Sequence, residues 1–443
     1  MNPSHVLTTA PILPLMLRMS WPNMLSMLAT TLVSVAETAY VGQLGTAQLA
    51  AMALVFPIVM LQQMLSAGSV GGGISAAVSR ALGAGDMARA QALAWHAGVI
   101  GLVLGVCFTL IFAVGAPSFF SLLGGGEVAL AEATLYAQIG FSTSIGVWLL
   151  NAMASVMRAA GDMKTPSMTL LVVAAAQVAI GGALGLGWGP FPRWGMAGVA
   201  AGLALSYSAG AVFLIWRLTQ PSARVRLVWH RHLRWVYFRD ILKVGAIASI
   251  SSLQTVFTIV IVTRIVAGFG TEALAGYGIG SRLEFMLVPI TFAVGVTCVP
   301  LVGMALGAGL VARARRVAWT GAALVGGMLT AIGVVVAVRP GLWSGLFTQD
   351  AQVMATAANY FQWVGPFYGL FGVGLCLYFA SQGAGKLVGP VLAGTVRLVM
   401  VGAGGWWLLE HNGSANQMFA LIAAGMLVYG LATAGSVWRS RWG

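Results

Sequence analysis

Long apolar stretches recur along the whole chain, separated by short segments that carry most of its charged residues. An α-helix rises about 1.5 Å per residue, so a stretch of about 20 residues crosses the roughly 30 Å of hydrocarbon in a bilayer. The alternating apolar and polar pattern of membrane-barrel strands is not seen in these stretches. We therefore predict an all-α polytopic membrane protein with twelve transmembrane helices, near residues 15–42, 50–77, 91–115, 134–157, 166–187, 194–217, 241–267, 273–302, 317–338, 354–380, 388–409 and 415–437.

The composition supports this interpretation, because 59% of the 443 residues are hydrophobic and only 7% are charged. A soluble domain has about 25% charged residues, so a soluble protein of this composition would lack the charge to cover its surface. The three cysteines, Cys107, Cys298 and Cys376, lie inside predicted helices and show no metal-ligand spacing. We expect no disulfide framework, no metal site and no bound cofactor.

The 23 lysine and arginine residues are divided unevenly between the two sides of the predicted membrane region. Eighteen lie at the N-terminus, in every second loop and at the C-terminus, whereas the other loops hold only Arg193, Arg264 and Arg339. The positive-inside rule then places both termini and the basic segment 218–240 in the cytoplasm. The net charge of +13 follows from this topology, so we expect contacts with membrane lipids and no nucleic-acid binding.

Three segments of the first half recur in the second half at nearly one spacing. A spacing of 224 or 225 residues separates ALGAGDMARAQALAW (81–95) from ALGAGLVARARRVAW (305–319), AGDMKTP (160–166) from AGKLVGP (384–390), and LGTAQLAAMAL (44–54) from FGTEALAGYGI (269–279). Compositional bias alone does not place three matches in register. They predict two six-helix lobes, 1–217 and 241–443, joined by the basic cytoplasmic linker 218–240.

An even number of helices in each lobe means that both lobes enter the membrane from the same side. The lobes are therefore expected to be parallel repeats, related by an axis along the membrane normal. Two such bundles can enclose a central cavity and rock to open it to either face. This architecture favours a transporter over an enzyme with one fixed site.

Several segments resemble the multidrug and toxic compound extrusion (MATE) family of cation-coupled exporters. The resemblance covers nearly the whole chain and rests on WPNMLSML and ETAYVGQLG within 21–45, ALGAG in both halves, RAAGDMKTP (158–166), and GYGIGSRLEF with VP within 276–289. It implies secondary active efflux of organic, mostly cationic and amphipathic compounds in antiport with H⁺ or Na⁺ by alternating access. A bacterial cytoplasmic (inner) membrane and a monomer are the matching expectations.

Glu37, in the first predicted helix, is the leading candidate for ion coupling, because a carboxylate inside a membrane is costly unless it is neutralised or paired. Withdrawal from water favours the neutral acid, and an antiporter needs a group that binds a proton in one state and releases it in another. Its counterpart in the second half is Val262, so the fold does not require an acid there. Members of the MATE family carry an acidic residue, usually Asp, at this point. The alternative is an interfacial residue that reaches water near GQLG.

The resemblance also indicates what is missing around Glu37. In similar proteins an Asn, and an Asp one turn later, often follow the TP of the fifth helix, and these positions hold Gln177 and Gly181 here. Acids that some relatives carry in the seventh and tenth helices have no equivalent in 249–258 or 360–380. We predict Gln177 as the partner of Glu37. Because a hard cation needs several oxygen ligands, the set favours H⁺ over Na⁺.

Glu284 and Arg282 are further charges within a predicted helix, the eighth. Residues two apart on a helix point in nearly opposite directions, so each is expected to pair with a different helix. Glu284 is then either half of a structural ion pair or a second ion-coupling residue.

Polar and aromatic residues inside other predicted helices are candidates for the cavity wall, because polarisable surfaces suit varied hydrophobic cations. The candidate substrate-binding residues are Trp148, Asn151, Gln254, Arg282, Tyr360 and Tyr368. Pro22, on the helix of Glu37, is a candidate helix bend, because proline interrupts helical hydrogen bonding. A static kink is the alternative.

Three other function classes predict sequence features different from those of an antiporter. A flippase for lipid-linked oligosaccharides, which related folds perform, predicts a larger and strongly cationic cavity, whereas few basic residues lie within these helices. A channel predicts a continuous polar stripe. A membrane enzyme requires a nucleophile and base or a similar polar constellation, and none stands out in the sequence, so we expect no enzyme activity.

Overall fold

The computed structural model describes residues 7–123 and 126–442, and within these ranges every regular element is a helix. Eleven helices are long and apolar enough to cross a membrane, and two shorter ones that meet at a 48° bend complete a twelfth span. In chain order the spans are α1 (Ile12–Leu44), α2 (Thr46–Gln63, Met64–Val70 and Gly71–Gly83), α3 (Met87–Leu123), α4 (Glu127–Ser142 and Ser144–Ala159), α5 (Lys164–Leu186), α6 (Met196–Thr219), α7 (Trp235–Ala267), α8 (Thr271–Gly307), α9 (Val311–Val338), α10 (Ala351–Val364, Gly365–Phe367 and Tyr368–Ala384), α11 (Val388–Glu410) and α12 (Ala415–Arg439).

The prediction of an all-α polytopic protein with twelve membrane-spanning helices is confirmed, and each predicted helix overlaps one span in order. Most spans are longer than predicted. For example, α7 begins at Trp235, inside the segment 218–240 that the sequence assigned to the linker. Apolar length measures the hydrocarbon that a helix crosses, whereas the helix itself continues into the interfacial region until its hydrogen bonding ends.

Three spans depart from regular α-helix along their length. In α2 the segment Met64–Val70 is π-helical, α4 bends between its two halves at Thr143, and in α10 a 3₁₀ turn covers Gly365–Phe367. Pro366 accounts for the last break, because proline lacks the amide hydrogen that a continuous α-helix needs. By contrast, α1 is continuously helical through Pro22.

The chain forms two compact units. The N-terminal unit contains Leu7 and Arg18–Ala246, and the C-terminal unit contains Thr8–Leu17 and residues 247–442. Each unit therefore holds six of the spans, apart from the first turns of α1, which belong to the C-terminal unit, and of α7, which belong to the N-terminal unit.

Glycines bring neighbouring helices of the N-terminal unit into close contact. A Cβ atom at Gly202 of α6 would lie 2.5 Å from the Cα and backbone N of Gly181 in α5, and 3.0 Å from the carbonyl oxygen of Gln177. These obstacles are backbone atoms, which cannot rotate away. Small residues at helix crossings are the usual route to tight packing in membranes, and here they fix the position of Gln177 relative to α6.

We expect Gly202→Ala to destabilise the protein by about 1–3 kcal/mol, the usual cost of overpacking a tight interior. Gly115→Ala is the matched control, because a Cβ there has nothing within 4 Å. Thermal unfolding of the purified protein in detergent should give a lower midpoint for Gly202→Ala alone. Equal midpoints for the two variants would contradict the close approach of α5 and α6.

Candidate functional site

Glu37 lies in the interior of the N-terminal unit. Only 5% of the residue is exposed, although it stands on a helix whose other faces include exposed apolar residues. The side chain of Gln177 in α5, which is also 5% exposed, donates a hydrogen bond from Nε2 to Glu37 Oε1 at 2.6 Å. The structure therefore brings together the acid and the amide that the sequence proposed as partners, from two helices 140 residues apart.

Tyr40 occupies the space next to this pair. It follows Glu37 by three residues, so the two side chains share a face of α1, and it is buried. A Cβ atom at Gly181 would lie 2.9 Å from the Tyr40 hydroxyl oxygen. Gly181 is the position where similar proteins often carry an Asp. In this protein a tyrosine hydroxyl from α1 fills the room that a side chain at that position would need.

Two more tyrosines are close enough to interact electrostatically with Glu37: Tyr136 of α4 and Tyr207 of α6. The hydroxyl groups of Tyr40 and Tyr136 are buried without a hydrogen-bond partner among the described residues. Unpaired buried hydroxyls are costly in a dry interior. They are potential partners for a water molecule or a ligand beside the carboxyl group.

A chain of hydrogen bonds begins at Tyr207 and connects side chains of α6, α2 and α4. Gln63 donates from Nε2 to the Tyr207 hydroxyl at 2.8 Å. Asn151 donates from Nδ2 to Gln63 Oε1 at 3.1 Å and lies 2.9 Å from Ser66 Oγ. Ser66 belongs to the π-helical segment of α2, and such segments are frequent at functional sites. Asn151, predicted as a cavity residue, thus belongs to the same polar interior as Glu37.

A second acidic group, which is partly buried, lies in the C-terminal unit. Glu284 of α8 accepts a hydrogen bond from the Tyr360 hydroxyl of α10. Arg397 of α11 and Tyr368 of α10 interact electrostatically with the same carboxyl group. Tyr360 and Tyr368 are fully packed side chains at this point. The expectation that Glu284 would pair with other helices agrees with these contacts.

Arg397 and Arg282 have different surroundings. The Arg397 guanidinium stands 4.8 Å from the ring centre of Phe371 and 5.9 Å from that of Tyr429, and its Nε atom is buried without a partner among the described residues. Arg282 is exposed and lies over Phe347 at 5.1 Å. Of the two predicted charges on α8, only Glu284 points into the unit.

The remaining predicted binding residues are packed within their own units. Trp148 is buried in α4, and its indole Nε1 has no hydrogen-bond partner in the described part of the chain. Gln254 of α7 donates from Nε2 to Thr395 Oγ1 at 2.7 Å. Neither contact assigns a ligand. The substrate-binding role of these residues therefore remains a prediction.

Sequence reasoning missed the tyrosines around Glu37, Gln63 and the stacked position of Arg397. The one-turn spacing between Glu37 and Tyr40 was a usable signal. No comparable signal existed for Gln63, Tyr136 and Tyr207, which reach the site from three other helices. Among residues 7–123 and 126–442, no group of three or more His, Cys, Asp or Glu side chains is arranged to hold a metal ion.

A family model describes most of the chain and decides its affiliation. The MatE model matches residues 22–181 and 247–406, one match in each half. The chain belongs to the MatE family. Members of this family are membrane transporters for the efflux of drugs and toxic compounds, and the repeat inferred from the sequence is the repeat of this model.

Individual proteins of known name are similar to this chain over most of its length. The chain is 25% identical over 411 residues to the FAD transporter of Shewanella oneidensis, covering 90% of this chain and 89% of the relative. It is 24% identical over 386 residues to the probable multidrug resistance protein NorM of Thermotoga maritima, covering 85% of this chain and 81% of the relative. Among solved structures, it is similar to a MOP superfamily transporter from Pyrococcus furiosus, with a TM-score of 0.90, 20% identity and coverage of 99% and 98%. The Vibrio cholerae MATE transporter VcmN in its bent form gives a TM-score of 0.88 at 21% identity, with coverage of 99% and 98%.

Both solved structures are only 20 or 21% identical to this chain, so their likeness shows a common fold and no more. The family match shows that the chain is a multi-pass membrane transporter.

The hydrogen bond between Gln177 and Glu37 is testable by a double-mutant cycle. We expect Glu37→Ala and Gln177→Ala to show a coupling energy of about 1 kcal/mol in thermal unfolding, because a buried hydrogen bond contributes roughly this amount. Gln48→Ala is the control partner, since Gln48 donates to Glu132 at 2.9 Å instead. Its coupling to position 37 should stay within about 0.5 kcal/mol, as for independent sites. Equal coupling in both cycles would argue against a specific Glu37–Gln177 bond.

Proposed function

We propose that this transporter exports organic, mostly cationic and amphipathic compounds in exchange for protons, with Glu37 as the main coupling acid. The observation that carries the proposal is a single carboxyl group, 5% exposed, held by the amide of Gln177 at 2.6 Å. Tyr40, Tyr136 and Tyr207, which interact with this carboxyl group, bring no charge of their own. The membrane is a bacterial cytoplasmic (inner) membrane, with both termini and the basic linker in the cytoplasm according to the positive-inside rule.

The coupling follows from what each ligand does to the carboxyl group. A proton bound to Glu37 removes the charge, and the neutral acid suits a closed, dry interior. A cationic substrate favours the ionised carboxylate, which accepts the Gln177 hydrogen bond and attracts the substrate. Because the two ligands favour different charge states, they exclude each other and favour different conformations, which is the thermodynamic requirement for exchange.

The identity of the coupling ion rests on the same neighbours. Dehydrated Na⁺ needs several oxygen ligands, usually with carboxylate charge. In the described part of the chain, Glu37 accepts a hydrogen bond from the Gln177 amide, and no second carboxylate is among its neighbours. A proton needs one basic oxygen. Glu284 is the second candidate, and its contacts with Tyr360 and Arg397 suit either coupling or an internal charge pair.

The test is transport in liposomes that contain a pH-sensitive dye and no sodium. A gradient of a fluorescent organic cation should drive proton movement with the wild-type protein, and Glu37→Gln should reduce this movement at least tenfold. Glu37→Asp, which keeps the acid, should retain part of it. Glu127→Gln is the matched control, because Glu127 is exposed at the start of α4.

Two results would contradict this proposal. Exchange that appears only after sodium is added would reverse the choice of ion. Full coupling in Glu37→Gln would remove Glu37 from the mechanism, and Glu284→Gln is then the next variant to measure. Unchanged thermal unfolding midpoints are required of each variant before its transport is compared.

A second candidate function is export of flavin nucleotides. The observation that favours it is Arg397, a guanidinium stacked on Phe371 and Tyr429 with its Nε unpaired among the described residues. Such a group binds phosphate and stacks on planar rings, and one relative is named FAD transporter. Glu284 counts against this function, because its carboxylate interacts with Arg397 and would compete with a phosphate for the guanidinium.

Under this second candidate, liposomes should accumulate FAD with saturable kinetics, and Arg397→Gln should lower the rate at least tenfold. Arg264→Gln is the control, since Arg264 is exposed in the last turn of α7. Absence of FAD accumulation by a protein that exchanges organic cations would exclude the flavin proposal and leave the first one intact.

A further inference from the structure

A cleft lies at the end of the N-terminal unit where α3 begins and the chain leads into α7. Its volume is about 730 Å³, and it is lined by Asp86, Ala88, Arg89, Ala92, Trp229, His230, Arg231, His232, Arg234, Val236 and Tyr237. All of these residues belong to the N-terminal unit. None of them takes part in the transport chemistry proposed above. Their composition, basic and aromatic together, calls for a separate explanation.

The arginines of the cleft differ in how their charges are balanced. Arg89 pairs with Asp240 at 2.5 Å. Arg231 and Arg234 are exposed, and within the described part of the chain no carboxylate lies within ion-pairing distance of either. Asp86, the single acid in the lining, accepts a hydrogen bond from the backbone N–H of Arg89 at 2.9 Å. The cleft therefore presents two uncompensated guanidinium groups.

The segment that carries these arginines is anchored rather than loose. The backbone N–H of Arg234 donates to Nε2 of the buried His96 at 3.0 Å, which leaves Nδ1 of that ring to donate to Ala92 O at 2.7 Å. The Trp229 ring packs against Trp95 with ring centres 4.7 Å apart. These contacts hold both ends of the arginine-bearing segment against α3, so the cleft exists before a ligand arrives.

The rim of the cleft is apolar and exposed. Trp229 and Val236, which line the cleft, are 74% and 56% exposed. Leu233 and Trp235, next to lining residues in the sequence, are 53% and 71% exposed. Trp235 is also the first residue of α7, a helix long enough to span a membrane. Tryptophans at the ends of membrane-spanning helices lie at the level of the lipid headgroups. A basic cleft bordered by such residues matches a ligand with an anionic head and an apolar tail.

We propose that this cleft binds the phosphodiester headgroup of an acidic phospholipid. Arg231 and Arg234 supply charge-assisted hydrogen bonds to the phosphate oxygens, and Trp229, Trp235 and Leu233 contact the glycerol and the first acyl carbons. A soluble phosphate-bearing anion has the same negative charge as the lipid headgroup but no apolar part to contact the rim. The proposal is independent of the transported substrate and of the coupling ion.

The experiment is a lipid titration of the delipidated, purified full-length protein, followed by native mass spectrometry. The probes are phosphatidylglycerol, zwitterionic phosphatidylcholine and inorganic phosphate. Wild-type protein should bind phosphatidylglycerol more tightly than phosphatidylcholine and should not bind inorganic phosphate at the same concentrations. The double variant Arg231→Gln/Arg234→Gln should bind phosphatidylglycerol on the order of 30-fold more weakly, because each arginine near an anionic lipid surface contributes about a factor of five.

The matched control is Arg226→Gln/Arg441→Gln, which removes two exposed arginines outside the cleft. It should bind as the wild type does. An equal loss in this control would overturn the proposal, because binding would then follow overall charge and not the cleft. Binding of inorganic phosphate that displaces the lipid would overturn it too, since the ligand would then be a soluble anion.

A photoactivatable phosphatidylglycerol supplies a second measurement that needs no variant. Its adducts should map by peptide sequencing to the segments 86–92 and 229–237. Adducts confined to other parts of the chain would overturn the assignment even if the arginine variants bind less lipid.

Discussion

The hydrocarbon core of a membrane offers no hydrogen-bond partner, and this constraint organises the whole structure. Every backbone group that crosses it must be satisfied within the protein, so the described chain is helical throughout its spans. The same constraint makes each polar side chain in the interior costly. The polar side chains in the interior must therefore be paired within the protein or be able to pair with a ligand.

The polar interior of the N-terminal unit obeys this constraint with few groups. Glu37 has Gln177, and Tyr207 has Gln63, which in turn accepts from Asn151. The π-helical segment of α2 lies at the end of this chain, where Ser66 meets Asn151. A widened turn is tolerated at membrane depth only where neighbouring groups complete its hydrogen bonding. The local distortion and the polar chain thus belong to one feature.

The two units place their acids differently, although one family model matches both halves of the chain. The acid of the N-terminal unit stands on α1 beside a neutral amide, and the equivalent position in α7 is Val262. The acid of the C-terminal unit stands on α8, with a tyrosine as donor and Arg397 nearby. Glu284 thus has a cationic group among its neighbours, whereas Glu37 has only neutral ones: an amide and tyrosine hydroxyls. This asymmetry is the reason for placing the main proton step at Glu37.

Hydrophobic patterning was sufficient to predict the helices, because apolar length and membrane thickness determine them locally. The helices were predicted too short. For example, α7 begins at Trp235, inside a charged segment that was predicted to be a linker. The Glu37–Gln177 neighbourhood could be expected from the resemblance. The contribution of Tyr207, Gln63 and Arg397 could not, because it depends on which faces of distant helices meet. Packing through glycines such as Gly181 and Gly202 sets those faces, and no single-helix pattern encodes it.

Similar proteins often carry an Asp at the position of Gly181, where this protein has the Tyr40 hydroxyl instead, and the loss of that acid affects charge movement. Tyr40 occupies the room next to Gly181, so under the proposed mechanism this site carries one titratable proton. Exchange of one proton for one monovalent cation moves no net charge, and the pH gradient alone then drives it. A second proton on Glu284 would add a charge per cycle and bring in the membrane potential, about 2.3 kcal/mol per charge at 100 mV. The ionisation of Glu284 beside Arg397 therefore decides whether this transporter responds to one component of the proton gradient or to both.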